Sequence, residues 1–266
     1  MGIAASKIDL GETFGKIQDF ETAEQYFEEG MDILRSIYSE VNPHRYLANG
    51  YFKVAHVKEL KKKYDEALKD YNKAIEIFRK LPPMREINPD IAQIYVRMGN
   101  IKKLMEDYET ALEYYLNSFN ILHKVYNDEP RLEIASLIKN IGTLFRLINR
   151  YESSIKAHQL SLKILCNIYE KPHPNYSLLF AASYSSLGRL YYFVQQYNES
   201  LEYYFKSLLM EIQFYKQPHS DIADSLNNIA LLCHHVGNYE ASFYFFLNSL
   251  VVTKSLLQCS RSEERR

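Results

Sequence analysis

The chain has 266 residues, of which 47% are hydrophobic, so it can bury a substantial core and does not have the composition of a disordered protein. Its 32 Lys and Arg residues nearly balance its 33 Asp and Glu residues, and the net charge of −1 excludes a global attraction to nucleic acid or anionic lipid. Any preference of that kind must be local.

Cysteine usage and hydropathy predict where the protein resides. Cys166, Cys233 and Cys259 are odd in number and widely spaced, which favours reduced thiols over a disulfide framework. The most apolar stretches, residues 177–187 and 242–252, are too short or too interrupted to span a bilayer. No secretory signal is recognisable, so we expect a soluble, cytoplasmic protein without stable membrane insertion.

A segment of about a dozen residues recurs six times along the chain. It reads YETALEYYLNSF from Tyr108 and YNESLEYYFKSL from Tyr197. Each copy begins with an aromatic residue, called the anchor here, and the anchors follow one another at spacings of 44, 44, 43, 46 and 42 residues: Phe20, Tyr64, Tyr108, Tyr151, Tyr197 and Tyr239. The predicted organisation is a single array of six repeats, followed by a polar tail at 259–266; the repeats cover approximately residues 4–42, 43–87, 88–129, 130–172, 173–217 and 218–258.

Small and large residues recur at fixed distances from each anchor. The residues three and ten positions after the anchor are small and share one helical face. Between them, seven positions after the anchor, five copies have an aromatic residue and the fourth has His158. Nine positions before the anchor the residue is always Gly or Ala, and an apolar residue precedes it. These columns predict two helices that approach each other closely in every copy.

The predicted unit is a pair of antiparallel helices. Apolar residues recur at steps of three and four on both sides of each anchor, and nothing alternates with period two. Proline, which ends helices, lies between successive copies: Pro43, Pro89, Pro130, Pro172 with Pro174, and Pro218. One hairpin cannot bury its own apolar face, so the hairpins are expected to stack.

This pattern resembles the tetratricopeptide repeat family, whose hallmarks are a Leu-Gly or Leu-Ala pair in the first helix, an aromatic at the turn, and small, aromatic, small columns in the second helix. The period is longer than the usual length of about 34 residues. The last copy, HSDIADSLNNIALLCHHVGNYEASFYFFLNSL, is most similar to the repeats of about 42 residues in kinesin light chains and related adaptors. The resemblance implies an all-α fold, an alpha-alpha superhelix (TPR solenoid) of six helical hairpins with a right-handed twist.

The resemblance also implies a scaffold or adaptor that binds a partner peptide or helix in a concave groove. One alternative is a targeting or regulatory region of a larger enzyme whose catalytic domain lies outside this chain. A kinesin-light-chain-like cargo adaptor is another, although the sequence begins directly in a repeat and not in a heptad coiled coil. Assembly by lateral stacking is the third.

No motif predicts an enzyme or a cofactor site. A Gly-rich phosphate loop, a His-Glu metal helix and a nucleophile elbow are not recognisable, so we expect neither catalysis nor a cofactor. The run Cys233 to His235 does not predict a metal site, because consecutive helical residues point about 100° apart. Gly2 and Ser6 fit the myristoylation pattern, but the alternative is that this segment belongs to the first helix.

The candidate binding residues lie on the first helices, twelve, eleven, eight and five positions before the anchor. In the third to fifth copies these columns contain five basic residues and no acidic one, whereas the first copy has Asp9 and Glu12. The predicted peptide-binding residues are Arg97, Asn100, Lys103, Lys139, Asn140, Arg146, Arg189 and Asn228.

In the family the face that contains these residues lines the concave surface, and Asn140 and Asn228 fall where an asparagine often binds the peptide backbone. The basic residues favour an acidic partner segment. The alternative is a charged face that is only solvated.

The last helix predicts a further contact. Five positions after the anchor the earlier copies have polar residues, but the sixth has Tyr244, with Leu247 nearby. Because a solenoid needs a polar outer face on its last helix, we expect this flank to be covered by a further segment, a partner or a second copy of the chain, through capping or self-association.

Overall fold

A computed structural model describes residues 2–38, 42–82, 88–127, 129–169 and 177–263, with side chains as far as residue 258. These residues form twelve α-helices and no strand: α1 Gly2–Lys16, α2 Phe20–Ile37, α3 Arg45–Leu60, α4 Tyr64–Lys80, α5 Pro89–Leu104, α6 Tyr108–Tyr126, α7 Leu132–Leu147, α8 Tyr151–Tyr169, α9 Ser177–Phe193, α10 Tyr197–Tyr215, α11 Ser220–His235 and α12 Tyr239–Glu263. Consecutive helices pair as six hairpins, which confirms the predicted unit. The predicted breaks at Pro172 and Pro174 lie outside the described residues.

Every hairpin has the same turn. Three residues separate its two helices, and the second helix begins at the anchor. The residue two positions before the anchor has a positive φ in all six turns: Gln18, Lys62, Glu106, Asn149, Gln195 and Gly237. The following residue donates its N–H to the carbonyl five positions earlier, as Asp107 does to Lys102 at 2.9 Å. This is the Schellman ending of a helix, and it reverses the chain direction within one short turn.

The small and aromatic columns form the contact between the two helices of a hairpin. The ring of Tyr115 on α6 packs against Gly99 on α5, where an added Cβ atom would lie 2.5 Å from the ring. Tyr115 is fully buried. The missing side chain at Gly99 therefore lets the two helix axes approach and leaves room for the ring.

The chain divides into two compact units: unit 1 is Met1–Glu129 and unit 2 is Pro130–Arg266. In unit 1 the small columns are mostly alanine, and the core contains large buried residues such as Tyr71 and Phe78. Ser118 is an exception, because its buried Oγ has no hydrogen-bond partner among the described residues.

In unit 2 the residues of both small columns are serines. Every serine whose hydrogen-bond partner the structure shows donates a buried hydrogen bond to that partner. Ser154 Oγ donates to the carbonyl of Gly142 at 2.6 Å, and Ser161 Oγ donates to that of Ala135 at 2.7 Å. Serine can therefore replace alanine in these columns without leaving its hydroxyl unsatisfied.

None of the described helices is long and apolar enough to cross a membrane. Within unit 2, α9 packs on α8 and α11 packs on α10, and within unit 1, α3 packs on α1 and α2 and α5 packs on α4. Stacking of each first helix on the preceding hairpin therefore builds the core of each unit.

Candidate functional site

The predicted binding residues lie on the first helices of the third to sixth hairpins. A period of 3.6 residues per turn brings their four columns to one side of the helix. The residues on α5, α7 and α11 are half-buried, and Arg189 on α9 is exposed. This degree of exposure suits side chains that could contact a partner while their stems pack on the array.

Arg97 on α5 is paired within unit 1. Its Nη1 lies 3.6 Å from Oε1 of Glu59 on α3, and both side chains are largely shielded from solvent. Glu59 also accepts a hydrogen bond of 2.7 Å from the hydroxyl of Tyr71. Burial lowers the pKa of the neighbouring His56, and the charge of Arg97 lowers it further. The carboxylate of the preceding hairpin therefore offsets much of the positive charge predicted at Arg97.

Asn100 and Lys103 lie further along the same helix. The hydroxyl of Tyr115 donates to Oδ1 of Asn100 at 2.6 Å, and burial raises the pKa of Tyr115 to about 12. Within the described residues Lys103 has no ion-pair partner. Asn100 is thus held by the core ring of its own hairpin, which leaves its amide nitrogen free to donate outward.

The first two hairpins have a mixed charge in these columns. Lys53 on α3 is paired with both Asp9 and Glu12 on α1, the second contact being 2.9 Å long. Burial alone would raise the pKa of Glu12, but hydrogen bonds from Lys16 and Lys53 outweigh it and the pKa is lowered. The predicted acidic character of the first copy is therefore reduced by the lysine of the second copy.

In unit 2, Lys139, Asn140 and Arg146 lie on α7, above the ring of His158. His158 is buried, and its Nδ1 has no hydrogen-bond partner among the described residues. Burial lowers the pKa of His158 to about 4, with additional contributions from the charges of Lys139 and Arg146. The imidazole is therefore uncharged at physiological pH. It does not offset the positive charges of Lys139 and Arg146 on the surface.

Arg189 on α9 continues this face. Burial raises the pKa of Tyr204 beneath it, and the positive charge of Arg189 acts in the opposite direction. The neighbouring hydroxyls bond to their own helices: Ser186 Oγ donates to the carbonyl of Ala182 at 2.8 Å, and Thr143 Oγ1 donates to that of Lys139 at 3.0 Å. The groups that remain available for a ligand are therefore the cations and the amides.

Asn228 on α11 is half-buried, and its side chain has no hydrogen bond to any described residue. The four columns on α7, α9 and α11 contain no carboxylate. The units therefore differ. In the same columns of unit 1 Lys53 and Arg97 are ion-paired and Lys103 is not, whereas Lys139, Arg146 and Arg189 of unit 2 all lack an ion-pair partner in the described part of the chain.

The structure also contains a polar cleft that the sequence did not indicate. In unit 1 a cavity of ≈ 580 Å³ lies between the second helices α4 and α6, lined by Arg79, Ile91, Tyr95, Asn117, Asn120, Ile121 and Lys124. Arg79 donates a hydrogen bond of 2.8 Å to the hydroxyl of Tyr95. The peptide-binding residues predicted from the sequence lie on first helices, and no motif marks Arg79, Asn117, Asn120 or Lys124 on the second ones.

Among the described residues, no group of three or more His, Cys, Asp or Glu side chains is arranged to hold a metal ion. Cys233 is buried, which raises its thiol pKa, whereas His235 points to the surface and lies 3.0 Å from the hydroxyl of Tyr197. Neighbours in the sequence thus face different surroundings.

Repeated helical hairpins joined by identical turns, with small residues packed against rings, define an all-α helical repeat protein. Two family models of the tetratricopeptide repeat match the sequence, over residues 90–167 and over residues 48–81. The chain contains tetratricopeptide repeats. A comparison with curated protein sequences gives no significant match.

Solved structures share the fold at low sequence identity. A signal transduction ATPase of the STAND class with a tetratricopeptide repeat sensor, from Pyrococcus horikoshii, is 17% identical with a TM-score of 0.76, over 98% of this chain and 38% of that chain. The apo form of RapI is 14% identical with a TM-score of 0.75, over 95% of this chain and 64% of that chain. Nearly identical TPR-like repeats from P. anserina, described as a kinesin light chain, are 14% identical with a TM-score of 0.66, over 82% of this chain and 100% of that chain.

Proposed function

We propose that this chain is a protein-binding scaffold, and that the first-helix face of unit 2 holds an acidic peptide segment. That face consists of Lys139, Asn140 and Arg146 on α7, Arg189 on α9 and Asn228 on α11. The observation that carries the proposal is the contrast in pairing. Lys139, Arg146 and Arg189 have no ion-pair partner in the described residues, whereas in the same columns of unit 1 Lys53 and Arg97 are paired and Lys103 is not.

The chemistry of the face suits an extended acidic chain. Asn140 and Asn228 each present one donor and one acceptor group, which is what a peptide backbone needs. The guanidinium groups of Arg146 and Arg189 can form charge-assisted, bidentate hydrogen bonds with carboxylates. Lys139 adds a third positive charge near Arg146, so two acidic side chains or a terminal carboxylate could be bound without any acid on the protein opposing them.

The α5 residues of unit 1 form a second part of the proposed binding surface, and we expect their attraction for an acidic peptide to be weaker. Lys103 is unpaired in the described structure, and Asn100 can donate through its amide nitrogen. Arg97 must share its charge with Glu59. We therefore assign the main electrostatic attraction to unit 2 and expect the α5 residues to bind backbone or neutral polar groups.

The proposal is tested with a pair of fluorescent peptides, one rich in Asp and Glu and one in which Asn and Gln replace them. Anisotropy titrations would compare the wild type with the double variant Arg146→Glu/Arg189→Glu. The matched control is Lys156→Glu/Lys163→Glu, which makes the same change of charge at two exposed positions on α8, outside the proposed face.

We expect the acidic peptide to bind more tightly than its amide counterpart. We also expect the face variant to weaken binding by more than about tenfold, because each charge-assisted bond contributes about 1–2 kcal/mol net. The control should stay within about threefold, since exposed charges are screened at physiological salt. Equal binding of the two peptides, or equal losses in the two double variants, would place the binding surface elsewhere.

A second candidate function is suggested by the P. horikoshii protein, in which a tetratricopeptide sensor belongs to a larger ATPase. This chain spans 38% of that protein, and the region matched would correspond to a regulatory or targeting part of a longer enzyme. The reading frame around the coding sequence distinguishes the two candidates. A contiguous nucleotide-binding domain would favour the sensor, and its absence would favour an independent adaptor, including a cargo adaptor of the kinesin-light-chain kind.

A further inference from the structure

The last hairpin exposes a row of large apolar side chains on α12, called the tail face here. It consists of Tyr239, Phe243, Phe246 and Leu250, which lie zero, four, seven and eleven positions after the anchor and therefore on one side of the helix. Their exposed fractions are 66%, 70%, 38% and 64%. Apolar side chains clustered on one face mark an interaction surface, unlike the scattered ones that any protein exposes.

The preceding hairpin shows what covers this face. On α10 the same four positions are Tyr197, Leu201, Tyr204 and Leu208. They pack under α11, so that Tyr204 is 5% exposed and Leu208 is 8% exposed. The tail face is therefore the half of a repeat-to-repeat interface that a following first helix would occupy.

The other half of this interface, which is the surface of a first helix, is exposed on α1 at the other end of the chain. On α11 the residues that pack on α10 include Ile222, Ser225 and Ile229, which lie seventeen, fourteen and ten positions before the anchor and are buried. On α1 the same positions are Ile3, Ser6 and Leu10, called the head face here. Ile3 is 71% exposed and Leu10 is 43% exposed, and the residue types match those of α11 at all three positions.

The head face differs from α11 at two positions of this interface, and at the first of them the exposed Thr13 stands where α11 has the buried Leu232. At the second, Lys7 on α1 stands where α11 has Leu226. Lys7 is ion-paired with Glu29 on α2, and its ammonium lies 5.8 Å from the ring centroid of Tyr26, so its charge is directed toward its own hairpin. Its aliphatic stem remains beside Ile3 and Leu10 and can contribute apolar contact.

We propose that the head face of one copy of this chain packs on the tail face of a second copy, in the arrangement by which α11 packs on α10. The occupant is assigned as a second copy because the chain itself carries both halves of one established interface, with the same residue types in the same register. Such a contact is heterologous, so each copy that binds leaves another head and another tail available. The inference does not depend on the proposed peptide site, which lies on other residues.

Sedimentation velocity over a wide range of concentration tests the proposal with the wild-type chain and three variants. The tail variant is Phe243→Glu/Leu250→Glu, and the head variant is Ile3→Glu/Leu10→Glu. The control is Tyr244→Glu/Val251→Glu, which alters equally exposed residues of α12 at positions that are exposed in the other hairpins as well. Because all six residues are exposed, the variants should keep their fold, and far-ultraviolet circular dichroism checks this.

We expect the average mass of the wild type and of the control to rise with concentration beyond that of a dimer. The head and tail variants should each remain monomeric, and an equimolar mixture of the two should form a dimer and no larger species, since one intact head meets one intact tail. The mixture also confirms that both variants are folded.

Four results would overturn the proposal. They are a wild type that stays monomeric throughout, a tail variant that associates like the wild type, a head variant that still dimerises, and a mixture that stays monomeric. Dimerisation of the head variant would mean that two tail faces pack on each other. A monomeric wild type that still binds the acidic peptide would leave the proposed function intact.

Discussion

Replacing His158 by phenylalanine should remove a pH-dependent part of the stability of unit 2. His158 occupies the column that is Phe27 in the first hairpin and Phe246 in the last, so the variant ring suits the position. Its ring packs against Gly142, where an added Cβ atom would lie 2.8 Å from Cδ2. The variant also removes a buried Nδ1 that has no partner in the described structure.

The size of the effect follows from the pKa of His158, which burial and the charges of Lys139 and Arg146 lower from 6.5 to about 4. The unfolded chain regains the ordinary pKa, so it binds a proton between these two values while the folded chain does not. The free energy of unfolding therefore falls as the pH drops through 6.5, and the full loss below the folded pKa is about 3 kcal/mol at 1.36 kcal/mol per pKa unit.

Urea unfolding of the wild type and of His158→Phe at about pH 7 and about pH 5 measures this contribution, which should amount to about 2 kcal/mol at the lower pH. The wild type should lose that much more than the variant between the two conditions. His234→Ala, at an exposed histidine of the same unit, should keep the pH response of the wild type. Equal pH responses in the wild type and His158→Phe would refute the reasoning.

Two further substitutions test buried polar groups by denaturant unfolding. Ser118→Ala should stabilise unit 1 by about 1 kcal/mol, because it removes an unsatisfied hydroxyl, whereas Ser161→Ala should destabilise unit 2 by a similar amount because it removes a buried hydrogen bond; the same sign in both would contradict the structure. Glu211→Leu should stabilise unit 2 by about 1–3 kcal/mol near neutral pH, since the carboxyl is buried and the corresponding residues of the first and fourth hairpins are Leu34 and Leu165. Burial raises the pKa of Glu211, so the gain should shrink as the pH falls and the wild-type carboxyl becomes protonated; a gain independent of pH would show that the charge is not what destabilises the wild type.

The repeat pattern predicted the hairpins because it records contacts within one hairpin. The small residue at Gly99 and the ring of Tyr115 are only 16 positions apart, so the pairing recurs in register along the sequence. The anchors also marked the first residue of every second helix. By contrast, nothing in the sequence marks the left-handed residue of each turn, because only Gly237 is a glycine and residues such as Gln18 and Lys62 carry no such signal.

Contacts between hairpins were harder to predict. The basic character of Arg97 is visible in the sequence, but its partner Glu59 belongs to the preceding repeat, and the pairing depends on how two first helices stack. The apolar flank of α12 was hard to predict for the same reason. The sequence drew attention to Tyr244, yet this column is exposed in the earlier hairpins too, and the positions that lose their cover are those of Phe243, Phe246 and Leu250.

The uniform turns also bear on how such a chain can change in length. All six turns contain three residues, while the anchors are spaced by 42 to 46 residues, so the six copies differ in size only outside the turns. An insertion within a turn would displace the left-handed residue from the Schellman bonds and separate the ring column from its small partners. Insertions and deletions are therefore expected outside the turns, and the connections between hairpins are where a protein engineer would also place a reporter or a protease site.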